Sequence, residues 1–267
     1  MRKGFLAAGT VCAILCVVCI VCLVLALPHK DAVVPGGPAV TEHDTAYVSR
    51  SADIKTPINS ASDTEAELYK SPVNFESLQG INPDVYAWLE IKGTNISYPV
   101  VQSPVDDRYY LKHTVEGKYS DNGTLFTEHQ YNGTDFNDPV TVIYGHNMGP
   151  GTGIMFGDLE QMYSDDGGIE KYRDITVYVP DKELHYTVFA AVPYSNRHIL
   201  YYYSCFSGDG LINEFIDSIY EARGFGVNTD ESFKLREGDH ILVLSTCLQG
   251  NDSKRYLVLA RLEEINI

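Results

Sequence analysis

Residues 4–27 run without a charge and consist mostly of Leu, Val, Ile, Ala, Cys and Phe. An apolar run of about 20 residues spans a bilayer core as a helix. The segment is long for the apolar region of a cleaved leader, and Leu25-Ala26-Leu27-Pro28 is a poor cleavage site. Arg2 and Lys3 precede it, which predicts a cytoplasmic N-terminus and an external remainder. The pattern then changes. Residues 31–70 are rich in Pro, Gly, Ser, Thr and Asp, with no sustained periodicity, and read as an extracellular stalk. Ser62 and Glu65, at capping-box spacing, predict a short helix at its end.

From residue 71 to the C-terminus the pattern is mostly that of strands. Asn82-Pro83-Asp84 predicts a helical turn with Pro near its first position. Trp88–Ile91 and Ile96–Val101, joined across Lys92–Asn95, read as a hairpin. Short strands follow at 123–128, 139–144, 174–179 and 184–192, with a helix at 155–163. Apolar residues at 212, 215, 216 and 219 have helical spacing, and Gly224 and Gly226 end that helix. The strongly apolar strand 240–246 ends at Cys247, and 256–262 is the last strand. Strands linked by turns, with helices confined to loops, predict a mainly β domain over 71–267, a barrel with helical additions.

Charge narrows the partners. All 36 acidic residues, and all but three of the 20 basic ones, follow residue 29, so the domain is strongly acidic. Such an exterior excludes nucleic acid, which needs a basic surface. Beyond the apolar run only Cys205 and Cys247 remain, so a disulfide scaffold is not expected and a working thiol is. The other four, Cys12, Cys16, Cys19 and Cys22, share one face of the expected span and read as small apolar side chains.

Three segments at strand edges carry candidate chemistry: Tyr144–Met148, Leu244–Cys247 and Lys254–Tyr256. A thiol attacks as its thiolate, which a neighbouring cation favours. A His can protonate a leaving amine, and a fixed Arg can donate to a developing oxyanion. Cys247, His146 and Arg255 thus form a complete set for acyl transfer. Each alone has a plainer reading, as a small core residue, a turn residue and a solvated edge charge. A metal site is not expected, because His146 and Cys247 lack partner ligands at short spacing, and no cofactor is implied.

The order Gly145-His146-Asn147, then Leu244-Ser245-Thr246-Cys247, then Arg255 resembles the sortase signature, and Asn82–Leu89 extends the likeness upstream. Met155–Leu159 and the helix at 212–223 are similar to the class B branch. The resemblance implies an eight-stranded β-barrel with Cys247 as nucleophile, His146 as general acid/base and Arg255 as oxyanion or substrate-positioning residue. It also implies cleavage of a C-terminal sorting motif after Thr. The acyl group of the secreted surface protein then passes to an amine of a peptidoglycan precursor or a pilin. A hydrolase that releases it to water is the alternative. Ser245 and Thr246, with Tyr194, Ile199, Leu200 and Tyr201 from the loop before the Cys247 strand, are the candidate substrate contacts. Some class B members have an acidic residue two places after the Cys. Here Gln249 stands there, with Asp252 the nearest acid beyond it.

Overall fold

The computed structural model describes residues 69–267. The expected anchor at 4–27, the helix at 62–69 except its last residue, and all but the last two residues of the expected stalk lie outside the described residues. Among the described residues, no helix is long and apolar enough to cross a membrane.

The domain opens with helix α1, Phe75–Ile81, whose N-cap Asn74 accepts from Ser77 N at 3.0 Å. The helix ends where the sequence pattern predicted one to start. Asn82 precedes a proline and is extended, with φ −148° and ψ 113°. Its buried amide donates to Tyr110 Oη at 2.7 Å and to the Val115 carbonyl at 2.8 Å, while its Oδ1 accepts from Asp84 N. Those bonds hold Asn82-Pro83-Asp84 as a turn into the first strand instead of a helix start.

Nine strands follow: β1 Val85–Ile91, β2 Ser97–Val101, β3 Leu125–Phe126, β4 Val140–Tyr144, β5 Asp174–Tyr178, β6 Glu183–Ser195, β7 Asn228–Thr229, β8 Ile241–Leu248 and β9 Asn251–Asn266. The ladder runs β5-β1-β2-β3-β4-β8-β9-β6, and β5 pairs with β6 to close it. The result is the expected eight-stranded barrel, with the short β7 added beside β6. Strand alternation fills the interior. Leu89, Ile91, Val100, Ile143, Leu242, Leu244, Tyr256 and Val258 belong to one buried cluster.

The opposite face of β4, β6, β8 and β9 is covered too. Helices α2 Leu159–Ser164 and α3 Gly168–Lys171 lie between β4 and β5, and α4 Ile199–Tyr202 and α5 Leu211–Tyr220 between β6 and β7. Phe215, Ile216 and Ile219 of α5 are buried with Val140, Val142, Val243 and Leu257. Each such side chain contributes about 1.5–3 kcal/mol by leaving water. Because β8 is covered on both sides, six consecutive residues, Ile241–Thr246, are buried. A strand this firmly held can present its last residues at a fixed position.

Candidate active site

Strand β8 runs parallel to β4, with Tyr144 opposite Ser245, and antiparallel to β9, with Cys247 directly opposite Arg255. The ladder continues one step past β4, where Gly145 N donates to the Ser245 carbonyl at 3.1 Å. His146 therefore emerges beside the Cys247 end of β8. Gly145 is required by packing: a Cβ there would lie 2.5 Å from Leu125 Cδ2 and 2.6 Å from Phe156 Cδ2. The strand end can pass under His146 only without a side chain.

His146 is oriented by its own ring. Its Nε2 lies 2.7 Å from the Leu111 carbonyl, a contact that puts the proton on Nε2. Nδ1 is then the nitrogen left for proton transfer. The next residue fixes the cysteine backbone. Asn147 Nδ2 donates to the Cys247 carbonyl at 2.9 Å, and its Oδ1 accepts from Gly149 N at 2.9 Å. Asn147 is a positioning residue that the pattern analysis passed over, although it stands inside the Gly-His-Asn segment. Arg255 Nη1 donates to the carbonyls of Asp252 at 3.1 Å and Lys254 at 3.0 Å, which leaves Nε and Nη2 for a ligand.

Cys247, His146 and Arg255 line one cleft of about 250 Å³ with Ser245, Thr246, Ile199, Leu111, Phe126 and Tyr144. Cys247 is half-buried, and both it and the exposed Cys205 are free thiols. Of the expected substrate contacts, Ser245, Thr246 and Ile199 border this cleft and the others do not. Leu200 is a core residue, 1% exposed, because α4 turns it toward Val140 and Phe215. Tyr201 faces solvent at 74% exposure. Tyr194 bonds through Oη to Tyr203 and Ser218, within the packing between β6 and α5. Thr246 has the strand parity of Leu242 and Leu244, and its buried hydroxyl has no partner. Asp252 contributes only its carbonyl, to Arg255, whereas Gln249 N donates to Glu160 Oε2 at 2.8 Å. Among the described residues, no group of His, Cys, Asp and Glu could hold a metal ion.

The cleft also holds charged groups that the pattern analysis did not single out. Asp107 accepts from His129 N at 2.8 Å and contacts its Nδ1 at 2.6 Å. His198 Nε2 lies 2.8 Å from Glu128 Oε2, and that carboxylate raises the His198 pKa above its ordinary value.

A thiol and an imidazole at the ends of adjacent barrel strands, with a guanidinium across the ladder from the thiol, are the equipment of a cysteine-dependent acyl-transfer enzyme. The sequence profile of the sortase domain matches residues 89–263, and the chain belongs to the sortase family. It is a cysteine transpeptidase similar to the class B sortases. Sortase B of Listeria monocytogenes is 31% identical over 178 residues, which cover 67% of this chain and 68% of that protein. A Streptococcus pyogenes class B sortase involved in pilus biogenesis is 28% identical with a TM-score of 0.59, covering 72% of this chain and 98% of that one. Staphylococcus aureus sortase B, in a complex with its substrate, is 26% identical with a TM-score of 0.59, covering 71% and 84% of the two chains.

Proposed function

We propose that Cys247 is the nucleophile of this transpeptidase, His146 its general acid/base and Arg255 its oxyanion donor. The observation that carries this reading is the direct opposition of Cys247 and Arg255 across β8 and β9, with His146 in the same cleft. The Cys247 thiolate attacks the carbonyl of a Thr in the sorting motif of a surface protein. The C–S bond forms, and the oxyanion takes hydrogen bonds from Arg255. The C–N bond then breaks, His146 protonates the departing amine, and a thioester remains. An acceptor amine gives its proton to His146, attacks the thioester and releases the thiolate. Water in place of the amine would give the hydrolase alternative. A product that carries the added amine in a competition with water separates the two.

The relatives support both kinds of acceptor, a peptidoglycan amine and a pilin amine, since one of them serves pilus biogenesis. The apolar run at 4–27 anchors the protein in the cell membrane, N-terminus inside, and the stalk over 31–70 carries the catalytic domain, residues 71–267, outside. Protease added to intact cells should then degrade the domain. Its full protection, with a surface marker digested in the same sample, would refute this topology.

Arg255→Lys tests the oxyanion role. A single ammonium cannot reproduce a planar fork of donors, and losing one such donor costs about 10²–10³-fold in turnover. Rates close to wild type in a peptide-transfer assay would reduce Arg255 to a diffuse positive charge.

A further inference from the structure

Strand β3 delivers Glu128 to the wall of the catalytic cleft, where its side chain is only 14% exposed. A carboxylate has about four acceptor positions and is costly to bury without donors. Glu128 has one neighbour that can donate. That neighbour, His198, is already committed: its Nδ1 accepts from Tyr201 N at 3.1 Å, capping α4, so its proton sits on Nε2 and faces Glu128. The contact is close but poorly aligned, and Glu128 Oε2 remains a buried acceptor without a true hydrogen bond.

Tyr144 is the second unsatisfied group. Its ring stacks on Phe126, at 5.4 Å between centroids, and its Oη is buried with no partner. Burial, and after it the Glu128 carboxylate, raise the phenol pKa well above its ordinary value. The hydroxyl stays neutral and can both donate and accept. The remaining acid of the cleft, Asp107, is occupied by His129. Two buried polar groups without partners, side by side in a substrate cleft, indicate a ligand group that completes them.

The β4–β8 ladder sets their position along a bound peptide. Tyr144 stands opposite Ser245, two residues before Cys247. At about 3.3 Å per residue, an extended donor peptide advances about two residues between the thiol and this row.

We propose that Glu128 and Tyr144 form a side-chain-reading subsite, selecting donor peptides with an N–H-bearing side chain, amide or ammonium, about two residues upstream of the acyl residue. The proposal rests on the reading of this cleft as the donor-peptide groove. An amide offers N–H to Glu128 and a carbonyl to Tyr144. An ammonium answers Glu128 with charge as well. An alkyl side chain leaves both groups unpaired, and a carboxylate meets Glu128 as a like charge.

The test uses the full chain, triglycine as acceptor, and peptides ending in Thr-Gly with Gln, Lys, Leu or Glu varied over the three positions before Thr. Mass spectrometry reads both the Cys247 acyl adduct and the transfer product. Gln or Lys should exceed Leu and Glu by about tenfold or more at one position, since a site built to hydrogen-bond rejects partners that cannot. Glu128→Gln should lower that preference at least about tenfold, removing it entirely if Lys is the preferred residue. Tyr144→Phe, which keeps the stacked ring, should reduce a preference for Gln more than one for Lys. Acylation with equal use of all four side chains, or a preference unchanged in both variants, would overturn the subsite alone. If no peptide acylates Cys247, the assignment of the cleft falls, and the subsite with it.

Discussion

Replacing Cys247 with Ala is expected to abolish both the acyl-enzyme adduct and the transfer product. Every step of the proposed reaction passes through the thioester, and no other side chain in the cleft is a thiol. Cys205 cannot substitute, because it is exposed on the loop after α4 and does not line the cleft. Cys247→Ser should be almost as damaging: a hydroxyl does not ionise near neutral pH beside an imidazole as a thiol does. Neither change should unfold the protein. The side chain is half-buried, and the position of the residue is fixed by backbone bonds to β9 and by Asn147, which the substitutions leave in place. A thermal midpoint near that of the wild type, with no adduct by intact mass, is the expected pair of results. Persistent adduct on the Ala variant would move the nucleophile elsewhere.

His146→Ala should lower turnover by about 10²–10⁴-fold, the usual contribution of a general acid or base. The mechanism predicts where the loss falls. Departure of the peptide amine needs a proton, and attack by the acceptor amine needs one removed, so both half-reactions should slow. Turnover of the wild type should follow ping-pong kinetics, with the thioester between the two substrates. The structural cost is the contact to the Leu111 carbonyl, a net of about 0.5–1.5 kcal/mol. A purely structural role would therefore show as a lower melting temperature with the rate per folded molecule retained. That outcome, measured by calorimetry beside single-turnover acylation, would remove His146 from the chemistry.

Much of this arrangement was legible along the chain because it is local. The hairpin at 88–101, the apolar strand into Cys247 and the amphipathic helix near 212–220 follow from alternation and helical spacing, which report on a residue and its near neighbours. Cys247, His146 and Arg255 could be singled out because each marks the edge of an apolar strand. The ladder then brings strand edges to the same end of a barrel.

What the tertiary structure decided is where side chains outside those strands point. Tyr194, Ile199, Leu200 and Tyr201 are apolar or aromatic residues in one short segment, and nothing in their order distinguishes them. The docking of α4 against the barrel left Ile199 on the cleft, buried Leu200 and exposed Tyr201. Asn82-Pro83-Asp84 carries a helix-start signal, but distant partners at Tyr110 and Val115 drew its amide into a turn. The Asn147 clamp joins residues 100 positions apart, and Glu128 meets His198 across a similar stretch of chain. Periodicity cannot reveal such pairs. They arise when barrel closure brings loops together, and only then does a buried carboxylate show which partner it has and which it still lacks.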